Sequence, residues 1–211
     1  QGKGAKSIGM GRDLAEAYPA ARAVFEEVDA ALGEALSDLI WEGDAETLTL
    51  TRNAQPALMA TSMAAMAALE AEGVEVTRAA FVAGHSLGEY SALCAAGAMR
   101  LADTARLLRI RGDAMQAAVP AGQGAMAAIL GLDLAAVIEL ASEAAQGQVC
   151  GAANDNDPAQ VVVSGDAAAV ERAVALAQER GAKRAVMLPV SAPFHCDLMM
   201  PAAQVMEDAL Q

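Results

Sequence analysis

Ala79-Ala80-Phe81-Val82-Ala83, continued by Gly84-His85-Ser86-Leu87-Gly88, is the stretch of sequence that decides the fold. The first five residues form a short apolar run, which is typical of a buried strand. The next five form a G-x-S-x-G pentapeptide, and residues 87–96 after it have the composition of a helix. A serine between a strand and a helix is the arrangement of a nucleophile elbow, in which a sharp turn exposes the serine oxygen at the top of a sheet. The pattern predicts an α/β fold with Ser86 as its nucleophile.

The sequence around Ser86 allows two roles for this residue. In the simpler one, the pentapeptide is a glycine-rich turn and Ser86 caps the helix that follows. In the catalytic one, the start of that helix directs its N–H groups toward the serine, and the N–H of Leu87 stabilises an oxyanion. The strand and helix on either side favour the catalytic interpretation.

A nucleophilic serine requires a base, and the chain has two histidines. His85 adjoins Ser86, and adjacent side chains on such a turn diverge. His195, in Ser191-Ala192-Pro193-Phe194-His195, is therefore the candidate base. The third member of a triad is not identified, because the acids between serine and histidine are better explained as turn residues and a helix cap: Asp155, Asp157 and Asp166.

Composition excludes several classes of protein. The net charge of −13 argues against a nucleic-acid-binding protein, which would need a basic face. No apolar run approaches the roughly 18 residues that span a membrane, and the first residues do not resemble a signal peptide. Three widely spaced cysteines do not indicate a disulfide framework, so we expect a reducing cytoplasm. We also expect a monomer. No cluster of cysteine and histidine has the spacing of a metal site.

The order of elements predicts two subdomains. Helices are expected over 12–32, interrupted at Pro19, over 54–71 and over 103–118. After the glycine-rich stretch at 120–124, strands (125–130, 149–153, 159–164, 184–188) alternate with helices (134–145, 167–180), and 154–158 form a turn. This β-α-β-β-α-β order predicts a ferredoxin-like subdomain over 123–189. It is inserted into an α/β-hydrolase-like core formed by 1–122 and 190–211, which ends in a helix over 197–210.

Six segments, in order along the whole chain, resemble the malonyl-CoA:acyl carrier protein transacylases, the acyltransferase family of fatty-acid and polyketide synthesis. The most specific is the serine segment, residues 84–93, read Gly-His-Ser-Leu-Gly-Glu-Tyr-Ser-Ala-Leu. The others are the N-terminal glycine loop (2–11), the Asn-Ala-Gln-Pro-Ala helix start (53–57), the arginine segment (109–112), the asparagine turn (154–160) and the histidine segment (189–197). Relative to the family, the chain is expected to be incomplete at both ends.

The resemblance implies a role for each matching residue. Ser86 accepts the malonyl group, and His195 is its base in a dyad oriented by a main-chain carbonyl. Arg111 binds the malonyl carboxylate, for which a guanidinium fork is suited. The backbone N–H groups of Lys3 and Leu87 form the oxyanion hole, although the family usually has glutamine at the position of Lys3. Further implied residues are Asn156 and Gln160, which line the cleft between the subdomains, and Phe194, which favours malonyl.

The implied reaction moves a malonyl group from malonyl-CoA to the phosphopantetheine thiol of acyl carrier protein and uses no bound cofactor or metal. Because carrier protein is acidic, docking requires a local basic patch, for which Lys183-Arg184 and Arg106 with Arg109 are candidates. Three alternatives remain open. They are a thioesterase or esterase with the same elbow, a non-catalytic domain that binds partner proteins, and the acyltransferase domain of a larger polyketide or fatty-acid synthase.

Overall fold

The computed structural model describes residues 6–120, 122–190 and 192–211. The chain forms two compact units, residues 1–113 with 209–211, and residues 114–208. The subdomain division expected from the sequence, 1–122 with 190–211 and 123–189, stays a prediction. Within the described ranges, none of the helices combines the length and the apolar character that crossing a membrane requires.

The first unit is helical. Its helices are α1 (Arg12–Ala17), α2 (Pro19–Leu32), α3 (Leu36–Glu42), α4 (Ala45–Thr49), α5 (Thr51–Ala71), α6 (Gly88–Ala95) and α7 (Leu101–Ala117), whose last turn enters the second unit. Pro19 divides the predicted helix over 12–32, since proline is favoured at the first position of a helix and breaks one further in. The sequence did not predict α3 and α4, whose five to seven residues are too short to show a helical repeat.

The core of the first unit surrounds α5. This helix is buried over most of its first ten residues, as the run of alanine, leucine and methionine predicts. It packs against α2, whose Phe25 is fully buried and lies edge-to-face on Trp41 of α3, with ring centroids 5.0 Å apart. Leu58 and Leu108 complete the same cluster from α5 and α7. The N-terminal turns of α5 are therefore anchored in the core of the first unit.

The predicted buried strand over 79–83 is wrong. Residues 79–85 form no helix or strand, and the side chain of Phe81 is 91% exposed. A strand needs a neighbour that accepts its backbone hydrogen bonds. Within the described ranges the one sheet belongs to the second unit, so this segment finds no such neighbour. The segment is apolar, as a buried strand would be. Its own sequence does not show, however, whether a neighbouring strand is available to pair with it.

The second unit is built on a four-stranded antiparallel sheet in the order β2-β3-β1-β4, and the chain is therefore of mixed α/β class. Its elements are β1 (Gly124–Leu130), α8 (Leu134–Ala145), β2 (Cys150–Asp157), β3 (Gln160–Asp166), α9 (Ala167–Glu179), β4 (Arg184–Met187) and α10 (Met200–Ala209). The predicted β-α-β-β-α-β order is confirmed. The predicted turn over 154–158 is wrong, because β2 continues to Asp157 and the turn contains only residues 158 and 159.

Alternation along the strands gives this sheet two apolar faces. Residues such as Ile129 and Val161 face the cluster formed with α8 and α9. Met126 and Val162 face the opposite cluster, which also contains Phe194 from the histidine segment. The sheet therefore supports that segment through packing.

Candidate active site

Ser86 lies at the centre of a tight turn that leads into α6. Its φ of 55° is in the left-handed region, which a residue with a side chain rarely adopts. A Cβ atom on Gly84 would lie 1.9 Å from the carbonyl carbon and oxygen of Gly88, so the two glycines allow the backbone to fold back on itself. The Gly88 N–H donates to the His85 carbonyl at 2.9 Å, and the Glu89 N–H donates to that of Ser86 at 3.1 Å. This is the geometry of an elbow that presents a serine.

Leu87 fixes the turn to the interior of the first unit. Its side chain is 5% exposed and belongs to the main core cluster. Leu87 is the N-cap residue of α6, so its N–H has no partner inside the helix. The second residue expected at the oxyanion hole, Lys3, lies outside the described residues.

Arg111 reaches Ser86 from α7. Its Nη2 donates to Ser86 Oγ at 3.2 Å, and its Nη1 donates to the side-chain oxygen of Gln55 at 2.5 Å. Its guanidinium carbon lies 5.8 Å from the centroid of the Tyr90 ring, within the range of a cation–π contact. Burial lowers the pKa of Arg111, yet an arginine keeps its proton at neutral pH. The structure thus brings a positive charge to the serine, and the binding of a malonyl carboxylate by Arg111 stays a prediction.

Gln55 is a site residue to which sequence reasoning gave no role. Its side chain is 2% exposed, and its Nε2 donates to Thr51 Oγ1 at 2.9 Å. That bond orients the amide so that its oxygen faces Arg111. The signal was present in the sequence, since a glutamine inside a strongly apolar helix has to find partners when it is buried. Which partner it finds depends on the packing of α5 against α7.

Gly112 lets α7 approach the start of α5. A Cβ atom at Gly112 would lie 2.5 Å from the Arg52 Cα and 2.7 Å from the Thr51 carbonyl oxygen. Both neighbours are backbone atoms, so they cannot rotate away as a flexible side chain would. The glycine directly after Arg111 therefore sets the separation across which Arg111 and Gln55 meet.

His195 lies in the second unit, on a loop that is held in place by the contacts of its neighbouring residues. Its φ is 60°, again left-handed, and its side chain is exposed. The preceding Phe194 is 4% exposed and anchors the loop in the apolar cluster. The Cys196 thiol donates to the Pro193 carbonyl at 3.2 Å, and a Cβ atom on Gly124 would lie 2.2 Å from the Pro193 ring. The loop is thus held on the start of β1, while the pairing of His195 with Ser86 stays a prediction.

Asn156 and Gln160 are exposed at the hairpin of β2 and β3. Gln160 pairs with Asp157, and a break in register between Asp155 and Asp157 leaves Asn156 at a bulge. Bulges often redirect a side chain next to a functional site. The hairpin brings these two predicted residues onto neighbouring strands, and their role in binding stays a prediction.

The candidate docking residues differ in their surroundings. Arg106 donates to Asp103 and to the Ala31 carbonyl, and Arg109 is bonded to groups of its own unit. Lys183 and Arg184 are exposed and form no ion pair with the residues that the structure describes.

Over the described ranges, no three histidine, cysteine or acidic side chains are grouped as metal ligands.

Residues 1–211 match a protein family described as acyl transferase domain. The sequence is 51% identical over 210 residues to malonyl CoA-acyl carrier protein transacylase of Bacillus subtilis, a match that covers 99% of this chain and 65% of the relative. It is 50% identical over 202 residues to the enzyme of the same name from Escherichia coli, covering 96% and 65%. The chain thus spans slightly less than two thirds of the length of these relatives.

Solved structures are also similar to this chain, both in sequence and in fold. The acyl-carrier-protein-S-malonyltransferase of Bartonella henselae is 61% identical, with a TM-score of 0.96 over 99% of this chain and 67% of that one. A malonyl-transacylase in complex with its type II PKS acyl-carrier protein is 44% identical, with a TM-score of 0.95 over 99% and 67%.

Proposed function

This chain belongs to the acyl transferase domain family, and from that premise we propose that Ser86 carries a malonyl group from malonyl-CoA to the phosphopantetheine thiol of acyl carrier protein. The reaction would supply malonyl units to fatty-acid synthesis in the cytoplasm. Relatives named for this activity, at 51% and 50% identity, support the choice of substrate and carrier.

One observation carries the proposal, namely the guanidinium of Arg111 at 3.2 Å from Ser86 Oγ. A malonyl thioester has a carboxylate one methylene group away from the carbonyl carbon that the serine attacks. A positive charge beside the serine oxygen is therefore where that carboxylate needs a partner. Because Gln55 and Tyr90 hold the guanidinium, little side-chain freedom would be lost when the carboxylate binds.

The first half of the reaction forms an ester on Ser86. His195 removes the proton of the serine hydroxyl, and the oxygen attacks the thioester carbonyl. The backbone N–H groups of Leu87 and Lys3 stabilise the oxyanion that forms on the carbonyl oxygen. The C–S bond then breaks, coenzyme A leaves as the thiol with the proton from His195, and malonyl-Ser86 remains.

The second half reverses these steps with a different thiol. The phosphopantetheine thiol of the carrier gives its proton to His195 and attacks the ester carbonyl. The C–O bond breaks, and Ser86 recovers its proton. Arg111 holds the carboxylate throughout, with Asn156 and Gln160 proposed to line the binding cleft and Phe194 to favour malonyl. No bound cofactor or metal enters either half.

Two finer structural assignments belong to the same proposal. The order β-α-β-β-α-β with the sheet order β2-β3-β1-β4 supports a ferredoxin-like small subdomain over 123–189. The turn at Ser86 followed by α6 supports an α/β-hydrolase-like core for 1–122 and 190–211. For the carrier, the exposed pair Lys183 and Arg184 is the better docking candidate, because Arg106 and Arg109 are occupied by their own chain.

The test is intact-protein mass spectrometry after brief incubation with malonyl-CoA. We expect the wild-type protein to gain one malonyl group and a Ser86→Ala variant to gain none. An Arg111→Met variant should load malonyl slowly and should still load acetyl from acetyl-CoA, because acetyl has no carboxylate.

Three outcomes would overturn the proposal. Wild-type protein that never gains mass and transfers nothing to carrier protein would favour a non-catalytic binding domain. Release of free malonate at a rate unaffected by Arg111→Met would favour a thioesterase. A gain of mass on the Ser86→Ala variant would exclude Ser86 as the acceptor.

A further inference from the structure

Arg109 is a largely buried cation that the proposed reaction does not use. It lies two residues before Arg111 on α7, and its side chain is only 12% exposed. Its guanidinium donates to the Arg52 carbonyl oxygen at 2.8 Å and to the Asn53 side-chain oxygen at 2.6 Å, and it is paired with Glu34. An arginine that is so enclosed and so fully engaged joins segments of its own chain rather than a partner.

Two of these bonds end on the first turn of α5, which leads directly to Gln55. Asn53 is 6% exposed, and its Nδ2 donates to the Thr47 carbonyl at 3.0 Å, so both ends of its amide are fixed. Arg109 therefore binds a rigid acceptor one helical turn or less from the residue that orients Arg111.

A second arginine connects the same two helices. Arg52 of α5 donates to Asp113 of α7 at 2.7 Å. At Gly112, the backbones of α5 and α7 come into contact. The Arg52–Asp113 pair is about half exposed on both sides and is therefore weak. Arg109, which is less exposed than Arg52, is the stronger of the two connections.

We propose that Arg109 is a positioning residue, which holds α7 against the start of α5 so that Arg111 meets Gln55 and Ser86 at the distances that recognise a carboxylate. The inference rests on the proposed function, because it assigns to Arg109 the selectivity for malonyl over acyl groups without a carboxylate. A lysine would not replace it, since one ammonium group cannot reach three acceptors on two segments with the geometry of a planar fork.

The test compares loading of Ser86 by malonyl-CoA and by acetyl-CoA, measured in single turnovers over a range of substrate concentrations. For Arg109→Met we expect malonyl loading to fall about tenfold or more, since displacement of a positioning group by 1 Å costs up to about 100-fold. Acetyl loading should change less than about twofold. Arg109→Lys should resemble Arg109→Met. The matched control is Arg100→Met, which removes an exposed arginine directly before the same helix and should leave both rates unchanged.

Asn53→Ala removes one acceptor of Arg109 and tests the inference even where Arg109→Met does not fold. It should lower the ratio of malonyl to acetyl loading in the same direction by a smaller factor. An unchanged ratio in Asn53→Ala and Arg109→Met, or an equal loss of both rates, would overturn the inference and leave Arg109 a general stabilising residue.

A binding measurement separates this inference from the proposed function. Free malonate can be titrated into wild-type protein and Arg109→Met while backbone amide NMR shifts of residues 109–112 are followed. We expect the shifts in wild-type protein to saturate at millimolar malonate and those in the variant to stay unchanged. Equal binding by both proteins would overturn the inference, whereas failure of wild-type protein to load malonyl would overturn the proposed function alone.

Discussion

The left-handed conformation of Ser86 predicts that replacing this residue by glycine yields a more stable protein than replacing it by alanine. Its φ is 55°, where a residue with a Cβ atom is strained by roughly 1–2 kcal/mol and glycine is not. Glycine loses roughly 0.5–1 kcal/mol more backbone entropy on folding. The central values, about 1.5 and 0.75 kcal/mol, leave Ser86→Gly more stable than Ser86→Ala by about 0.75 kcal/mol.

Comparison of the two variants removes the other contributions. Each substitution deletes the hydroxyl that accepts from Arg111, so the loss of that hydrogen bond to a charged group, about 1.5–3 kcal/mol, is common to both. Neither variant can form an acyl-serine. The predicted difference therefore reports only the backbone conformation at residue 86.

The assay is urea denaturation at 25 °C, followed by tryptophan fluorescence. Trp41 is the one tryptophan of the chain and lies in the same unit as Ser86, packed on Phe25. With equal slopes against urea, the midpoint of Ser86→Gly should lie above that of Ser86→Ala. Gln146, with a φ of 46° at the end of α8, is a matched control site. Its glycine and alanine variants, followed by circular dichroism, should differ in the same direction.

A midpoint for Ser86→Ala equal to or above that of Ser86→Gly would refute the reasoning. It would mean that the folded chain does not hold residue 86 in the left-handed region. The elbow, and with it the exposure of the serine oxygen, would then need a different explanation.

Two further predictions concern one residue in each unit. Gly112→Ala should lower the free energy of unfolding by about 1–3 kcal/mol, because its Cβ would meet the backbone of Arg52, although alanine is favoured over glycine in an exposed helix by about 1 kcal/mol. Urea denaturation measures the change, and a more stable variant would contradict the close approach of α5 and α7. Burial raises the pKa of Cys150 from 9.0 to about 11, so its thiolate at pH 8 is on the order of 100-fold scarcer than that of an ordinary thiol. Its alkylation by iodoacetamide, followed by peptide mass spectrometry, should be correspondingly slow compared with the urea-unfolded chain. The raised pKa favours the protonated folded form, so its contribution to stability is complete below pH 9 and is lost as pH rises toward 11.

Local rules determined much of this protein from its sequence. Pro19 divides a helix because its ring lacks an N–H, and short apolar stretches bounded by turn residues placed all four strands of the second unit within a few residues of their observed bounds. The pentapeptide around Ser86 identified the turn, because two glycines and a serine in that order meet the steric demands of an elbow. Each of these signals depends on neighbours along the chain.

The tertiary structure decided the features that depend on contacts between distant segments. The stretch from Ala79 to Ala83 has the composition of a buried strand, yet it is exposed, because a strand is defined by a partner that its own sequence does not encode. Arg109 and Arg111 look alike in the sequence, as two cations in one helix. Only the packing of α7 on α5 directs Arg109 to the Arg52 carbonyl and Arg111 to Gln55 and the serine oxygen.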